Sequence, residues 1–333
     1  MNSTQVHVRF QRGGVELPAH GMWLDPHTAQ PLAFVSHAHS DHIGRHQEVI
    51  LSPGTAHLMR ERLPDRNGER REHIVPFGQL FEWPGMRITL LPAGHIFGSA
   101  QFHLESDAGS LLYSGDFKLR PGLSAECAEC RYADTLVMET TFGLSQYRFP
   151  PTAEVLAEII CFCRQALEDK AVPILLSYSL GKSQEIICAL IRAGLVPSLH
   201  PAVFRMTEIY RVNRDGFPDG YTAFDGSALE GKVFICPPNA MRSPAIQRIS
   251  KRRTAVLTGW AVNKGTRFRY RADAAFPLSD HADYDDLLQY VERVQPRRVF
   301  TLHGFAAAFA RDLRARGIEA WALSEANQLE FSF

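Results

Sequence analysis

The stretch Phe34-Val35-Ser36-His37-Ala38-His39-Ser40-Asp41-His42 places four metal-ligand side chains within six positions, at the end of an apolar run. In extended chain residues i and i+2 point the same way, so His37 and His39 can grip one cation. A turn after them would set Asp41 and His42 at the start of a helix, where they can grip a second. A histidine-rich loop without chemistry is the plain alternative, and this density of ligands leaves it little room. Three later positions complete a shell. His95 follows the strand expected to end at Leu91, Asp116 the strand ending at Tyr113, and His303 the strand ending at Leu302. Strand ends feed the loops that carry chemistry. Taken singly, His95 and His303 read equally as satisfied core histidines and Asp116 as a turn residue. Their joint placement points to a binuclear hydrolytic centre. Two cations about 3.5–4 Å apart can relieve charge on a phosphodiester and acidify water. An all-nitrogen and oxygen donor set suits zinc and tolerates manganese, so two divalent ions are expected, zinc preferred.

These residues need elements to hold them. From Val6 to about Phe149 the sequence reads mostly as strands, among them Leu32 to Val35, Arg87 to Leu91 and Ser110 to Tyr113. After Pro150-Pro151 the texture changes. Thr152 is expected to cap a helix through Leu167, followed by a strand from Val172 to Ser177 and a helix from Ser183 to Ile191. Strand and helix then alternate, as in a parallel α/β unit, with a strand at Thr254 to Thr258. A helix at Tyr284 to Val294, a strand at Arg298 to Leu302, a helix at Ala306 to Arg316 and a strand at Ala320 to Leu323 complete the chain. The simplest architecture is a discontinuous catalytic domain, residues 1–149 and 254–333, with an α/β cap at 150–253.

Bulk composition agrees with a folded enzyme. The chain has 333 residues, of which 45% are hydrophobic, so a real core is expected. Formal net charge is zero, so there is no whole-molecule field for polyanions and nucleic acid must be met by local patches. No secretory signal or long apolar run is present, and the six cysteines are scattered. A cytoplasmic, membrane-free protein is expected. Cys127-x-x-Cys130 stands alone and reads as an ordinary loop pair more readily than as a zinc or redox site. Gly181-Lys182-Ser183 lacks the glycine a phosphate loop needs at position 176, which is Leu176, so ATP hydrolysis is disfavoured.

The pattern H-x-H-x-D-H, followed by His95, Asp116 and His303, resembles the ligand pattern of the metallo-β-lactamase superfamily. That resemblance implies an αββα sandwich. It assigns His37, His39 and His95 to one ion, Asp41, His42 and His303 to the other, and Asp116 as the bridge. Asp25, otherwise a turn residue before Pro26, resembles the acid that orients the ligand loop from behind. Glu139 in VMETT and Ser279-Asp280-His281-Ala282-Asp283 resemble the acidic and histidine motifs of the β-CASP nucleases. PAGHIFGSAQ (92–101), SGDFK (114–118), ETTFGL (139–144), GKSQ (181–184) and Gly259-Trp260 look most like bacterial ligase-associated DNA exonucleases, relatives of mRNA 3′-end processing factors. Tyr284 and Ala261 depart from that pattern, where tryptophan and methionine are expected. The resemblance implies a DNA exonuclease in DNA repair, with an ATP-dependent DNA ligase and a helicase as partners.

Within that reading Asp41, Glu139 and His281 carry the catalysis. His281 is a phosphate contact or the general acid, with Glu139 keeping it cationic. Ser279 or Asp280 can alternatively cap the following helix. DNA is favoured over RNA as substrate, and a β-CASP ribonuclease or a small ester or thioester hydrolase are the alternatives. Arg242, Arg248, Lys251, Arg252, Arg253, Lys264, Arg267, Arg269 and Arg271 form a stretch without an acid, able to track a phosphate backbone. Scattered solvated arginines are the bland alternative. Lys182, Lys264, Arg267, Arg269 and Arg271 are the expected nucleic-acid contacts. On a strand, Phe268 and Tyr270 would share one face and the arginines the other.

Overall fold

In the computed structural model, residues 5–11, 13–226 and 229–323 are described. The chain forms two compact units. The first comprises residues 1–121, 126–147 and 281–333, and the second residues 122–125 and 148–280.

The first unit opens with β1 (Arg9–Gln11), β2 (Gly14–Leu17), β3 (Met22–Leu24), β4 (Leu32–Phe34), β5 (Glu48–Leu51) and β6 (Arg71–Ile74), side by side in chain order. The β1 to β3 pairs are antiparallel and the β3 to β6 pairs parallel. Helix α1 (Pro53–Arg62) lies between β5 and β6; Ser52 caps it by accepting from the Thr55 amide at 3.1 Å. β7 (Leu80–Trp83), β8 (Met86–Pro92), β9 (Ala100–Ser106) and β10 (Gly109–Tyr113) form an antiparallel meander, and β11 (Thr135–Glu139) joins β10 in parallel.

The second unit follows in sequence: α2 (Thr152–Glu168), β12 (Val172–Leu176), α3 (Lys182–Arg192), β13 (Val196–Leu199), α4 (Pro201–Asn213), β14 (Thr222–Ala223), β15 (Lys232–Cys236), α5 (Pro244–Gln247), β16 (Arg252–Leu257), α6 (Thr266–Tyr270) and β17 (Ala274–Phe276). Its sheet is parallel throughout, in the order β14-β13-β15-β12-β16-β17. The chain then returns to the first unit with α7 (Tyr284–Val294), β18 (Arg298–Leu302), α8 (Ala306–Ala315) and β19 (Glu319–Ala322), so its second sheet runs β19-β18-β11-β10-β9-β8-β7.

Burial explains why the central strands of that sheet are mainly apolar on both faces. Tyr113, Val137, Phe300 and Leu302 face a core shared with Leu24, Phe34 and Ile50 of the other sheet. Their neighbours Leu112, Leu136, Met138 and Val299 face a second core with Leu287, Tyr290 and Val291 of α7 and Phe309 and Leu313 of α8. Side chains alternate along a strand, so covering both faces favours apolar residues on either side. The result is a sandwich of two sheets with helices outside, the mixed α/β architecture expected from the sequence.

Four local expectations are corrected. Thr152 is the first residue of α2 and makes no side-chain cap. Asp41 and His42 lie in a turn closed by the His42 amide on the His39 carbonyl at 3.1 Å, not at a helix start. Asp283, rather than Ser279 or Asp280, caps α7, accepting from the Asp286 amide at 2.9 Å. The segment Thr266–Tyr270 is helical. It joins β16 to its parallel neighbour β17, a connection that must carry the chain back to the start of the sheet, which a strand in line with β16 cannot do. β16 itself pairs with β12, so the second unit runs on to residue 280, beyond the boundary expected at 253.

Candidate functional site

Two ligand-type side chains of the first unit leave strand ends through backbone that few residues could adopt. Asp116 follows Gly115, whose φ is +54° and where a Cβ would come within 2.7 Å of Ser36. His303 has a φ of +55° and precedes Gly304, where a Cβ would lie 2.5 Å from the Thr141 Cα. Non-glycine residues held at positive φ are over-determined by their surroundings and gather at functional sites. Here the surroundings include Thr140, whose hydroxyl donates to the carbonyls of Leu302 and His303 at 2.8 Å each.

His37, His39, His95 and Asp116 offer ligand atoms that all lie within 4.8 Å of one another. His39 Nδ1 is 3.0 Å from His37 Nε2 and 3.1 Å from His95 Nε2, while Asp116 Oδ2 is 3.6 Å from His37 Nε2. Three imidazole nitrogens aimed at one point cannot all be satisfied by sharing a proton, whereas a cation satisfies them together. Burial holds His37 well below the usual histidine range, with His42, His95 and His39 adding to the depression against Asp116. It is therefore a neutral imidazole, the form that ligates metal. This donor set fits a divalent cation.

The second set is less tightly drawn. His42 Nε2 lies 3.4 Å from Asp116 Oδ2 and 4.0 Å from Asp41 Oδ2, and the Asp41 side chain is 71% exposed. His303 is exposed, its ring centroid 6.2 Å from that of His42. Burial opposes charge on His42, but Asp116 and Asp25 outweigh it and raise its pKa well above normal. Asp116 is held well below the carboxylate range; burial would raise it, but His42 and His281 prevail. A site that stabilises a protonated histidine between two carboxylates is also one that stabilises a metal cation.

Asp25 sits behind this shell. Its φ is +46°, its carboxylate accepts from the Ser36 amide at 2.7 Å and hydroxyl at 2.5 Å and from the Tyr113 hydroxyl at 2.9 Å, and it holds His42 Nδ1 at 2.9 Å. With Nδ1 engaged there, Nε2 is directed to Asp116. Glu139 is similarly fixed. It accepts from the Phe117 amide at 2.9 Å and from the Thr141 hydroxyl, and meets His281 Nδ1 at 2.9 Å. The His281 ring centroid is 4.6 Å from that of His95. Asp116, Glu139 and His281 also bring ligand-type atoms within 4.8 Å of one another, a second grouping about the same aspartate.

Sequence reasoning missed Ser36, Tyr113, Thr140 and Thr141. Ser36 and Tyr113 flank the expected ligands and could have been found by asking what orients each imidazole. The two threonines carry no such signal. No group of three or more ligand-type residues among the described residues includes Cys127 or Cys130, and both thiols are free.

In the second unit Lys264, Arg267, Arg269 and Arg271 are exposed. Lys182 is different. It is 5% exposed and its ammonium is paired with Asp280, so the expected phosphate contact gives way to an internal ion pair. Among the described residues no helix is long and apolar enough to cross a membrane.

Comparison with known proteins adds a family. Residues 272–323 match the model of a Zn-dependent metallo-hydrolase RNA specificity domain. A probable DNA ligase of Opitutus terrae is 53% identical over 325 residues, which is 97% of this chain and 32% of that protein. The 5′ exonuclease Apollo of Rattus norvegicus is 25% identical, over 80% of this chain and 50% of its own length. Cleavage and polyadenylation specificity factor subunit 3 of Dictyostelium discoideum is 25% identical, over 74% of this chain and 38% of its own length. The chain thus spans about a third to a half of the length of these three relatives. The ligand cluster at the strand ends, the matched Zn-dependent metallo-hydrolase domain and these relatives together make the chain similar to the metallo-hydrolases of the metallo-β-lactamase/β-CASP family.

Proposed function

We propose that the chain is a two-metal nuclease hydrolysing phosphodiester bonds of nucleic acid, most readily DNA from an end. The observation that carries the reading is the joint geometry of two histidine systems. One, the His37, His39, His95 and Asp116 cluster, suits a metal; the other, His281 on Glu139, suits a proton donor. In this proposal His37, His39 and His95 would hold one ion and Asp41, His42 and His303 the other, with Asp116 serving both. Zinc is preferred over manganese because imidazole dominates the donor set. Bound divalent ions would supply charge relief on the phosphoryl oxygens and acidify water.

The remaining chemistry belongs to the chain. The Glu139 carboxylate accepts a hydrogen bond from His281 Nδ1–H and fixes the ring plane. Its own carboxylate is anchored by the Phe117 amide, so the pair does not swing away. That leaves His281 Nε2 to donate a proton to the departing alkoxide or to bind the phosphate. Asp25, held by Ser36 and Tyr113, orients His42.

The catalytic residues belong to the first unit, and the proposal gives the second the part of a substrate-binding cap. A DNA ligase and a helicase are the proposed partners. The relative named a probable DNA ligase supports the first, since this region is about a third of that longer chain. A cytoplasmic setting accompanies the proposal and accords with six free cysteines. A β-CASP ribonuclease is the second reading, favoured by the description of the domain matched at 272–323. Digestion of end-labelled single- and double-stranded DNA and RNA tests the proposal. Loss of terminal nucleotides from DNA with metal present is expected. Turnover of small esters alone would remove the nuclease reading.

A further inference from the structure

A single exposed apolar side chain is ordinary, but several exposed aromatics gathered in one unit carry information. Among the described residues four aromatics stand exposed, and three belong to the second unit: Tyr178 at 62%, Trp260 at 36% and Phe268 at 68%. Two of them occupy equivalent places on neighbouring strands. β12 ends at Leu176 and Tyr178 follows two residues later; β16 ends at Leu257 and Trp260 follows three residues later. The strands are parallel and paired, Leu176 opposite Val256, so both rings stand on the carboxyl edge of the sheet. That edge is where open α/β sheets take their ligands.

The chain around Trp260 is cationic. Between Gly231 and Ala272 the sequence contains no acid, and exposed Arg242 follows β15, the other neighbour of β12. Exposed Lys264 stands four residues beyond Trp260, and the Arg267 guanidinium lies 4.6 Å from the Phe268 ring centroid. The Lys182 ammonium is 5.5 Å from the Tyr178 ring centroid and paired with Asp280, so it holds that ring from within. Neither a lipid surface nor an acidic peptide calls for two separate flat rings at strand ends. An unpaired base presents a flat π-face beside a phosphate, which is the complement of an aromatic ring flanked by cations.

We propose that Tyr178 and Trp260 form a base-stacking platform for single-stranded nucleic acid, flanked by Arg242 and Lys264 as phosphate contacts. This deepens the nuclease reading and rests on it for the identity of the ligand. Stacking is tolerant of sequence because every base has a π-face, so the platform selects unpaired strands rather than particular bases. A duplex, whose bases are already stacked, is a poor occupant.

Trp260 is the one tryptophan of the second unit, the others being Trp23, Trp83 and Trp321. Its fluorescence therefore reports the platform. An oligothymidylate of roughly 12 nucleotides, added in EDTA so that nothing is cleaved, should quench the wild-type emission more than a duplex of equal length. Trp260→Leu should abolish the quenching. Tyr178→Leu should keep the signal and weaken binding roughly 5- to 150-fold, the worth of one stacked base. Tyr178→Phe, which retains the ring, should restore affinity and so excludes misfolding as the cause. Unchanged affinity in Tyr178→Leu, or no quenching in the wild type, overturns the platform. Cleavage of end-labelled strands by metal-loaded wild type separates the two ideas. Cleavage with no quenching sinks the platform and leaves the nuclease, whereas quenching with no cleavage does the reverse.

Discussion

Each unit buries a knot of polar side chains, and the two knots are built on opposite terms. In the second unit the turn Gly181 to Gln184 is closed by protein partners. Lys182 pairs with Asp280, the Ser183 hydroxyl donates to the Tyr178 carbonyl at 2.5 Å, and Gln184 accepts from the Gly181 amide at 2.7 Å. The Gln184 amide donates to the Ser179 carbonyl and to Thr207. In the first unit three imidazole nitrogens converge on a single carboxylate with more ligands than protons to share. A saturated knot, its donors and acceptors in balance, fixes a fold, whereas an unsaturated one with surplus acceptors suits a cation. Buried polarity alone therefore does not mark a site, and the balance of donors and acceptors does.

The largest expected effect tests whether His281 belongs to the unsaturated knot as proton donor or as ligand. His281→Ala should keep the metals and lower kcat by about 10²–10⁴-fold, the usual contribution of a general acid. Loss of bound metal in that variant, measured alongside rate, would make His281 a ligand of the Asp116 and Glu139 grouping instead.

The saturated knot should respond in stability. Lys182→Met removes one partner of an ion pair in which both residues are 5% exposed, and should cost about 3–5 kcal/mol in denaturant unfolding. A variant as stable as the wild type would mean that the pair is solvated in solution and that the knot is not closed.

A smaller effect comes from His46, which stands between the two cases. Its Nδ1 accepts from the Gln30 amide at 3.1 Å, while its Nε2 has no partner among the described residues. Burial pushes its pKa down to about 4. The unfolded chain binds a proton near pH 6.5 that the folded chain refuses until about 4. The stability it contributes is thus fully present above 6.5 and lost as pH falls toward 4, on the order of 3 kcal/mol in all. His46→Gln should flatten this acid limb of the unfolding midpoint; an unchanged slope would show that other groups set it.

Much of this was legible before the structure. The H-x-H-x-D-H run stood out because it compresses ligands at a strand end, and α7 was read to its last residue because Leu287, Tyr290, Val291 and Val294 keep helical spacing. Two kinds of information were hidden. The apolar run at β16 announces a strand but not its partner, and pairing with β12, some 80 residues earlier, is set by tertiary fit. The alternation Arg267-Phe268-Arg269-Tyr270-Arg271 mimics a strand, yet Tyr270 packs on the core of the second unit while Phe268 faces water, because the parallel crossover forces a helical turn there. Lys182 was legible as a cation but not as a buried one, since its partner Asp280 is 98 residues away.

The most direct test of the account is the number of ions held by the unsaturated knot. Mass-spectrometric metal analysis of the purified wild type and of Asp116→Asn decides it. The account predicts about two divalent ions per wild-type chain, with both occupancy and nuclease activity lost when the shared carboxylate goes. A fully active wild-type protein holding one tight ion, or an Asp116→Asn variant that keeps both, would contradict it.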